Sequence, residues 1–356
     1  MNLVRYYLAL CILMSHFAFL ANSDIFQLPR IFGGAGSFFA LSGFLMFPSY
    51  EKHPEPKRFL ARRARRIFPP YFLVVLIAAL GLSLVSTMPL ASYFLDSGFW
   101  KYVGANLSFL NFLHPDLPGV FDGAPNLTSS VNGALWTMKG EVLCYLSVPL
   151  VFKAINRGRH FCRNALAIIV VVCTVLYIVF TYVIGGTLWV LGKQFFVFML
   201  FYLGALINLE LPLFLKYKWY ILGFNVAFLA SDYFSLLGYL PELDVIYNVF
   251  LSPFVTGTMV LICCLTGRWG WFLARHNAVS YDIYLFHWPV IQLLVYFGLV
   301  TSAGAYPTLF ITIAITVCLA FLSWNFVGRK ILDWKKPRTA ATPLPEPETG
   351  CGLIRD

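Results

Sequence analysis

The sequence predicts an all-α, polytopic integral membrane protein, and three observations lead to this fold class. Hydrophobic residues make up 59% of the 356 residues and charged residues only 12%, about half the charged share of an average soluble domain. The mean hydropathy is +0.75. The apolar runs are continuous and about 20 residues long, which suits membrane-crossing helices rather than the alternating strands of a β-barrel. This composition also excludes a soluble enzyme, a disordered chain and a secreted disulfide scaffold.

Ten apolar segments qualify as transmembrane helices. Their predicted ranges are 3–21, 31–48, 67–87, 134–152, 164–184, 188–208, 217–231, 245–265, 277–300 and 306–327. The third begins at the Pro69–Pro70 pair, which suits the first turn of a helix. Residues 97–114 are amphipathic and aromatic, so we predict that they lie at the membrane interface. The ten spans would form one transmembrane domain, 1–330, followed by a basic and then Pro-rich cytoplasmic tail, 331–356, with the composition of a disordered segment.

Lysine and arginine residues are distributed between the loops in a way that predicts the topology. Of 26 such residues, 22 lie at the N-terminus, in alternate loops and in the tail, all on one predicted side. Seven of them lie in the 49–66 loop. Under the positive-inside rule both termini are therefore cytoplasmic. Topology also explains the formal net charge of +10, so we expect no nucleic-acid partner.

Ionisable side chains within the spans are candidates for function, because each costs free energy in hydrocarbon unless it has a partner. They are His16, Lys139, Glu141, Lys193, Asp282 and His287. Arg5 and His16 are 11 residues apart, about three helical turns, so they share one face of the first span. A cation at the cytoplasmic mouth suits phosphate binding, and a deeper imidazole suits proton transfer. The alternative is a snorkelling arginine and a hydrogen-bonded structural histidine.

Glu141 and His287 are predicted to reach a depth similar to that of His16, from two other spans. Glu141 is eight residues into the fourth span and His287 ten residues into the ninth, about 12 and 15 Å along their helices. A buried carboxylate beside a histidine would orient the imidazole and raise its basicity. The alternatives are a structural pair of Glu141 with Lys139 and a structural role for His287.

The other charged residues in the spans and the eight cysteines have simpler explanations. Lys193 lies near the outer end of its span and is expected to snorkel. Asp282 lies near the inner end of its span, where Arg275 is its expected partner. The cysteines show neither a CxxC motif nor a Cys/His spacing, so we predict no metal site.

Five motifs spread over the predicted membrane domain fit one known family. They are Arg5-x10-His16 and residues 37–44 (SFFALSGF), 62–71 (RRARRIFPPY), 135–145 (LWTMKGEVLCY) and 280–289 (SYDIYLFHWP). In this order they resemble the signatures of acyltransferase family 3, whose integral-membrane members O-acylate bacterial surface glycans. Each motif is weak alone, but five in the family's order on ten spans make a specific match over residues 1–330.

The resemblance implies an acyltransferase of the inner (cytoplasmic) membrane that uses cytoplasmic acyl-CoA, usually acetyl-CoA, to acylate a hydroxyl of a cell-surface or lipid-linked glycan. His16 matches the family's catalytic histidine, and Glu141 matches its essential acid. Arg5, Arg65 and Arg66 match positions that hold the acyl-CoA. The motifs supply further site candidates, which are Ser42, Trp136, Tyr145, Tyr284 and His287. No metal is implied.

Two other functions remain compatible with these residues. A secondary transporter or flippase for a surface-glycan component would also use intramembrane His and Glu residues as a proton relay, but it should show internal symmetry between its halves, and we find none. A non-catalytic membrane partner is the other alternative. Topology and attraction to anionic lipids explain the basic 57–66 cluster equally well. The sequence leaves open the acceptor, the acyl group and the oligomeric state.

Overall fold

A computed structural model describes residues 2–25, 35–122, 128–233, 249, 252–265 and 279–333. Every regular element in these ranges is helical, and they contain no β-strand, which confirms the all-α class. The helices are α1 (Asn2–Leu20), α2 (Ala35–Glu51), α3 (Pro56–Gly81), α4 (Leu90–Leu95), α5 (Ser97–Leu107), α6 (Trp136–Ile155), α7 (Arg159–Ile178), α8 (Trp189–Leu209), α9 (Leu211–Lys216), α10 (Lys218–Tyr233), α11 (Ser252–Leu265), α12 (Ser280–Tyr296), α13 (Leu299–Ala303), α14 (Ala305–Ser323) and α15 (Arg329–Asp333).

Five of the described helices are long and apolar enough to cross a membrane. They cover Leu3–Leu20, Pro56–Leu84, Arg159–Ile184, Trp189–Leu209 and Ala305–Ile331. Each coincides with a predicted span, and the chain is a membrane protein. The other five predicted spans fall on α2, α6, α10, α11 and α12, which do not combine that length with that apolarity. The number of ten spans and the side of the termini stay predictions, and the tail beyond Asp333 lies outside the described residues.

Helix α3 begins earlier than the sequence suggests. It begins at Pro56, which lies in its first turn, and ends at Gly81. The Pro69–Pro70 pair therefore lies inside the helix. The prediction of a first turn at this pair is wrong, because hydropathy marks where the chain enters hydrocarbon and not where the helix begins. The arginines that the sequence assigns to the 49–66 loop therefore lie on a helix, and its 3.6-residue turn decides which of them share a face.

Helices α2 and α8 pack in direct backbone contact. A Cβ at Gly43 of α2 would overlap the backbone carbonyl oxygen of Phe201, and a Cβ at Gly204 of α8 would overlap that of Ala40. Glycine at both positions lets the two backbones approach closely, as small residues do in other membrane helix pairs. Ser42, which precedes Gly43, faces the cavity described below.

Residues 85–122 form a cap at the C-terminal end of α3. Helix α5 has 11 residues, so it is about 16 Å long and too short for a hydrocarbon core of about 30 Å. This length fits the interfacial position predicted for 97–114. Tyr93 donates a hydrogen bond to the carbonyl of Ala79 at 2.7 Å. Tyr71 of α3 donates to the carbonyl of Asn106 at 2.7 Å, so buried hydrogen bonds hold the cap on α3.

Helix α12 packs between α1 and α14, and the segment 128–135 is bonded along it. Asn132 Nδ2 donates to the carbonyl of Leu285 at 2.9 Å. Gln292 Nε2 donates to the carbonyl of Ser130 at 2.6 Å. These bonds hold the segment 128–135 against the middle of α12, where His287 meets His16 of α1.

Candidate active site

A polar cavity lies among the helices α1, α2, α3, α6 and α12. Its volume is ≈ 70 Å³, which is room for several water molecules or a narrow chain. Polar side chains from all five helices line it. These are Arg5, Ser42, Arg63, Arg66, Thr137, Glu141, Tyr145, Ser280, Tyr281 and Tyr284.

The cavity carries an excess of positive charge. Arg5, Arg63 and Arg66 line it, whereas Glu141 is the one acidic residue in its described wall. The buried Nε of Arg63 has no hydrogen-bond partner, so an oxygen ligand would satisfy a donor that the protein leaves unpaired. Guanidinium groups bind phosphate and carboxylate oxygens through charge-assisted, often bidentate hydrogen bonds. The cavity is therefore suited to an anionic ligand.

The register of α3 places Arg63 and Arg66, but not Arg65, in the wall of the main cavity. Arg63 and Arg66 are one turn apart on the helix. Arg65 lines a second cavity of ≈ 10 Å³, together with Arg66 and Asp282. Of the predicted donor-binding set, the structure thus brings together Arg5 and Arg66 but not Arg65. Arg63, which sequence reasoning did not single out, takes the third position.

Glu141 is paired with Tyr145, one turn further along α6. The Tyr145 hydroxyl donates to Glu141 Oε1 at 2.6 Å, and the Ser42 side chain of α2 hydrogen-bonds to Tyr145. Three of the predicted site residues therefore form one hydrogen-bonded chain across the cavity wall. The alternative pair with Lys139 is not among the ion pairs of the described residues. The Lys139 ammonium group instead lies 4.3 Å from the centroid of the Phe112 ring.

The two intramembrane histidines are hydrogen-bonded to each other. His16 Nδ1 and His287 Nε2 are 2.7 Å apart, and His287 Nδ1 is 2.7 Å from the carbonyl oxygen of Tyr284. The Trp288 ring packs edge-on against His16, with the centroids 4.8 Å apart. The sequence favours a carboxylate beside His16, but the structure places His287 there, because α1 packs against α12 and Glu141 faces the cavity.

Tyr284 connects the cavity to the histidine pair. Its side chain lines the cavity, and its ring centroid is 5.6 Å from that of His287. The Tyr284 hydroxyl donates to the carbonyl of Ala134 at 2.9 Å and lies 2.8 Å from the hydroxyl of Thr137, which joins α12 to α6. His16 itself is not part of the cavity wall. Tyr284 contacts His287, and His287 contacts His16.

Trp136, another predicted site residue, also lies outside the cavity wall. The ammonium group of Lys193 lies 5.0 Å from the centroid of the Trp136 ring and 3.8 Å from that of Trp189. Cation–π contacts of this kind stabilise a lysine that has no carboxylate partner. The structure therefore gives Trp136 a contact with Lys193 and none with the arginines.

Asp282 has a partner outside the main cavity. It accepts a hydrogen bond from the Ser323 hydroxyl at 2.5 Å, which ties α12 to α14. Arg275, its expected partner, lies outside the described residues. In the part of the chain that the structure describes, no group of three or more His, Cys, Asp or Glu side chains is placed to hold a metal ion.

Comparisons with known proteins point to one family. The family model described as an acyltransferase domain matches residues 1–325. An O-acetyl transferase of Shigella phage Sf6 is 23% identical over 362 aligned residues, which cover 93% of this chain and 95% of that protein. Nodulation protein 10 of Rhizobium leguminosarum bv. viciae is 24% identical over 337 residues, covering 85% of this chain and 83% of that protein. No solved structure gives a significant match. Because the family model spans nearly the whole chain, the protein belongs to acyltransferase family 3 and is an acyltransferase.

Proposed function

We propose that the protein is a multi-pass O-acyltransferase of the cytoplasmic membrane that transfers an acetyl group from acetyl-CoA to a hydroxyl of a cell-surface or lipid-linked glycan. The observation that carries the proposal is the position of Arg5 and His16 on α1. Arg5 lines an arginine-rich cavity, and His16 lies about 16 Å further along the same helix, in a histidine pair. Acyl transfer needs both parts, an anion site that holds the donor and a base that activates the acceptor.

The donor side of the proposal rests on three guanidinium groups. CoA carries phosphates at one end of a long, narrow pantetheine arm and the thioester at the other. In this proposal the nucleotide stays at the mouth of the cavity and only the arm enters between the helices. Arg5, Arg63 and Arg66 bind its phosphates. This end of α1 is the one that the positive-inside rule assigns to the cytoplasm.

In the proposed reaction His16 is the general base. Its imidazole takes the proton of the acceptor hydroxyl as that oxygen attacks the carbonyl carbon of the thioester. The new C–O bond gives a tetrahedral intermediate, which collapses by breaking the C–S bond. The imidazolium returns the proton to the CoA thiolate, so the products are the acyl ester and free CoA. A positioned base of this kind contributes about 10²–10⁴-fold to the rate.

Two observations support the acceptor side of the proposal. One relative is named an O-acetyl transferase, which fits an oxygen nucleophile and an acetyl group. The five motifs resemble a family whose members acylate surface glycans. The acceptor approaches from the extracytoplasmic side, near the segment 128–135, which is bonded to α12 on both sides of His287.

Arg63 and Arg65 give a matched test of the donor site, because they lie close together on α3 and only Arg63 lines the main cavity. We expect Arg63→Ala to weaken acetyl-CoA binding about 10- to 100-fold, since a charge-assisted hydrogen bond is worth about 1.5–3 kcal/mol. Arg65→Ala should have a much smaller effect. The measurement is calorimetric titration of the detergent-solubilised protein with acetyl-CoA. Equal affinities in the two variants would contradict this donor site.

His16→Ala tests the chemistry. We expect acylation to fall about 10²–10⁴-fold, with unchanged acetyl-CoA affinity and a normal amount of protein in the membrane. The measurements are mass spectrometry of surface glycan from cells and release of CoA thiol by the purified protein. His160→Ala, at an exposed histidine outside the cavity, is the control. Near-normal acylation by His16→Ala at equal expression would show that the mechanism is wrong, and glycan-precursor transport without acylation would favour the flippase.

A further inference from the structure

We infer that His287 is a positioning residue for the reaction, because it decides which ring nitrogen of His16 carries a proton. The inference rests on the proposed function, in which His16 is the general base. His287 is 1% exposed and does not line the cavity, so it acts on the reacting groups through His16. Neither the family match nor the names of the relatives assign this role.

The two imidazole rings form an in-plane hydrogen bond. Their planes differ by 6°, and their centroids are 5.0 Å apart. Parallel rings that were stacked face to face would keep their atoms about 3.5 Å apart. The 2.7 Å between His16 Nδ1 and His287 Nε2 is too short for stacking and has the length of a hydrogen bond. The rings therefore lie edge to edge.

The hydrogen-bond partners assign the protons along this chain. The carbonyl oxygen of Tyr284 only accepts, so the Nδ1 of His287 must donate to it. In a neutral imidazole the other nitrogen then accepts, so His287 Nε2 accepts a hydrogen bond from the Nδ1–H of His16. His16 is left with an unprotonated Nε2. That lone pair is the base that the reaction needs.

A charged His287 would reverse this assignment, but its surroundings oppose the charge. The side chain is buried, and none of the hydrogen bonds that reach its ring in the described residues comes from a carboxylate. An imidazolium without a compensating anion is costly in such a place. The neutral form, with a fixed tautomer, is the one that the site stabilises.

The same bond supports His16 during the reaction. When Nε2 takes the acceptor proton, the Nδ1–H of the new imidazolium is a stronger donor, and the lone pair of His287 Nε2 already faces it. His287 then does for His16 what a carboxylate does for the histidine of a Ser-His-Asp triad, by holding the tautomer and stabilising the cation. No proton needs to move to His287.

The packing around the pair keeps this geometry in place. Trp288 contacts the His16 ring edge-on, and its Nε1 donates to the carbonyl of Ser130 at 3.4 Å. The bond from Asn132 to the Leu285 carbonyl holds the α12 backbone two residues before His287. The Trp288 ring therefore restricts rotation of the His16 imidazole, and the bond to the Tyr284 carbonyl restricts that of His287.

Two amide variants separate positioning from packing. The amide of Gln reaches about as far from the backbone as His Nε2, whereas the amide of Asn reaches only about as far as Nδ1. His287→Gln thus keeps an acceptor for His16 Nδ1–H, and His287→Asn does not. We expect His287→Asn to lower kcat about 10²–10⁴-fold, the contribution of a positioned base; a Ser-His-Asp triad that loses its orienting carboxylate lies at the upper end of this range. The kcat of His287→Gln should be at least tenfold higher than that of His287→Asn. Both variants should keep the parental KM for acetyl-CoA.

The outcomes distinguish this inference from the proposed function. The purified full-length variants are assayed for transfer from acetyl-CoA beside His16→Ala. An inactive His16→Ala together with equal activities of His287→Gln and His287→Asn would overturn the role of His287 and leave the general base intact. Loss of acetyl-CoA binding in both His287 variants would also overturn it, in favour of a structural role. A fully active His16→Ala would reject the proposed function itself.

Discussion

Glu141 lines the main cavity together with three arginines, and its bond to Tyr145 allows charge and hydrogen bonding to be tested separately. In Glu141→Gln the amide oxygen still accepts from the Tyr145 hydroxyl, but the negative charge is lost. In Tyr145→Phe the charge remains and only the hydrogen bond is lost. We expect Glu141→Gln to lose most acyl transfer, because the charge balances nearby Arg5 in a low dielectric. Tyr145→Phe should lose about tenfold, because a hydrogen bond to a charged group is worth about 1.5 kcal/mol at the lower end of its range. Steady-state transfer in membranes with equal protein content measures both.

A third variant serves as the control for this comparison. Ser42→Ala removes the outer link of the same hydrogen-bonded chain and leaves the Tyr145–Glu141 bond in place. Its effect should be smaller than that of Tyr145→Phe. A loss in Tyr145→Phe as large as that in Glu141→Gln would show that the hydrogen bond, and not the charge, supports activity.

The sequence predicts the composition of the site better than its pairings. Intramembrane charge alone selects His16, Glu141 and His287, because hydrocarbon penalises each of them. It does not show which of them touch, since that depends on the rotation of each helix about its axis. Glu141 therefore bonds within α6, and His16 bonds to His287 of α12. The sequence predicts a similar depth for three titratable groups, but it does not predict their partners.

At the scale of elements, α3 shows why the sequence does not identify Arg63 as a site residue. Hydropathy falls where the arginines begin, so the sequence assigns residues 49–66 to a loop. In a loop the spacing of the arginines does not predict which of them share a face. The structure continues the helix back to Pro56. On a helix the i, i+3 spacing puts Arg63 beside Arg66 and turns Arg65 away. Pro56, a suitable first-turn residue, is the sequence signal that identifies this start.

The glycine contact between α2 and α8 gives a prediction about the stability of this element pair. Gly43→Val places a branched side chain against the backbone of Phe201, so the helices must separate. Overpacking costs about 1–3 kcal/mol in ordinary cores, and we expect at least that here. Gly223→Val in α10 is the matched control, because a Cβ there meets no atom within 4 Å. Thermal unfolding in detergent measures both, and similar melting temperatures for the two variants would contradict the close approach.

At the scale of the whole molecule, composition predicts the all-helical membrane class, and the structure confirms it. The bounds of a helix at its basic end are harder to predict from the sequence, because charge and helix formation are independent properties. The cap of residues 85–122 is a further example. Two hydrogen bonds join it to α3, one between Tyr93 and Ala79 and one between Tyr71 and Asn106. The periodicity of the sequence does not predict that these parts of the chain lie close together.

The geometry of α3 turns the predicted topology into a direct test. The helix has 26 residues and is about 39 Å long, which exceeds the hydrocarbon thickness of about 30 Å. We therefore expect its two ends to emerge on opposite faces of the membrane. The hydrogen bond from Tyr93 to Ala79 holds the cap of residues 85–122 at the C-terminal end. We therefore expect Lys57 and Asp116, both exposed, to lie on opposite faces.

We expect Asp116→Cys to react with a membrane-impermeant maleimide in intact cells, and Lys57→Cys to react only after permeabilisation. The reason is the positive-inside rule, which assigns the basic start of α3 to the cytoplasm. Both substitutions are made in a variant that lacks the eight native cysteines, and this parent variant is the unlabelled control. Labelling of both sites from the same face would reject α3 as a membrane crossing. Labelling of Lys57→Cys alone from outside would keep the crossing but reverse the orientation, which would put the arginine-lined cavity on the side without CoA and remove the basis of the donor site.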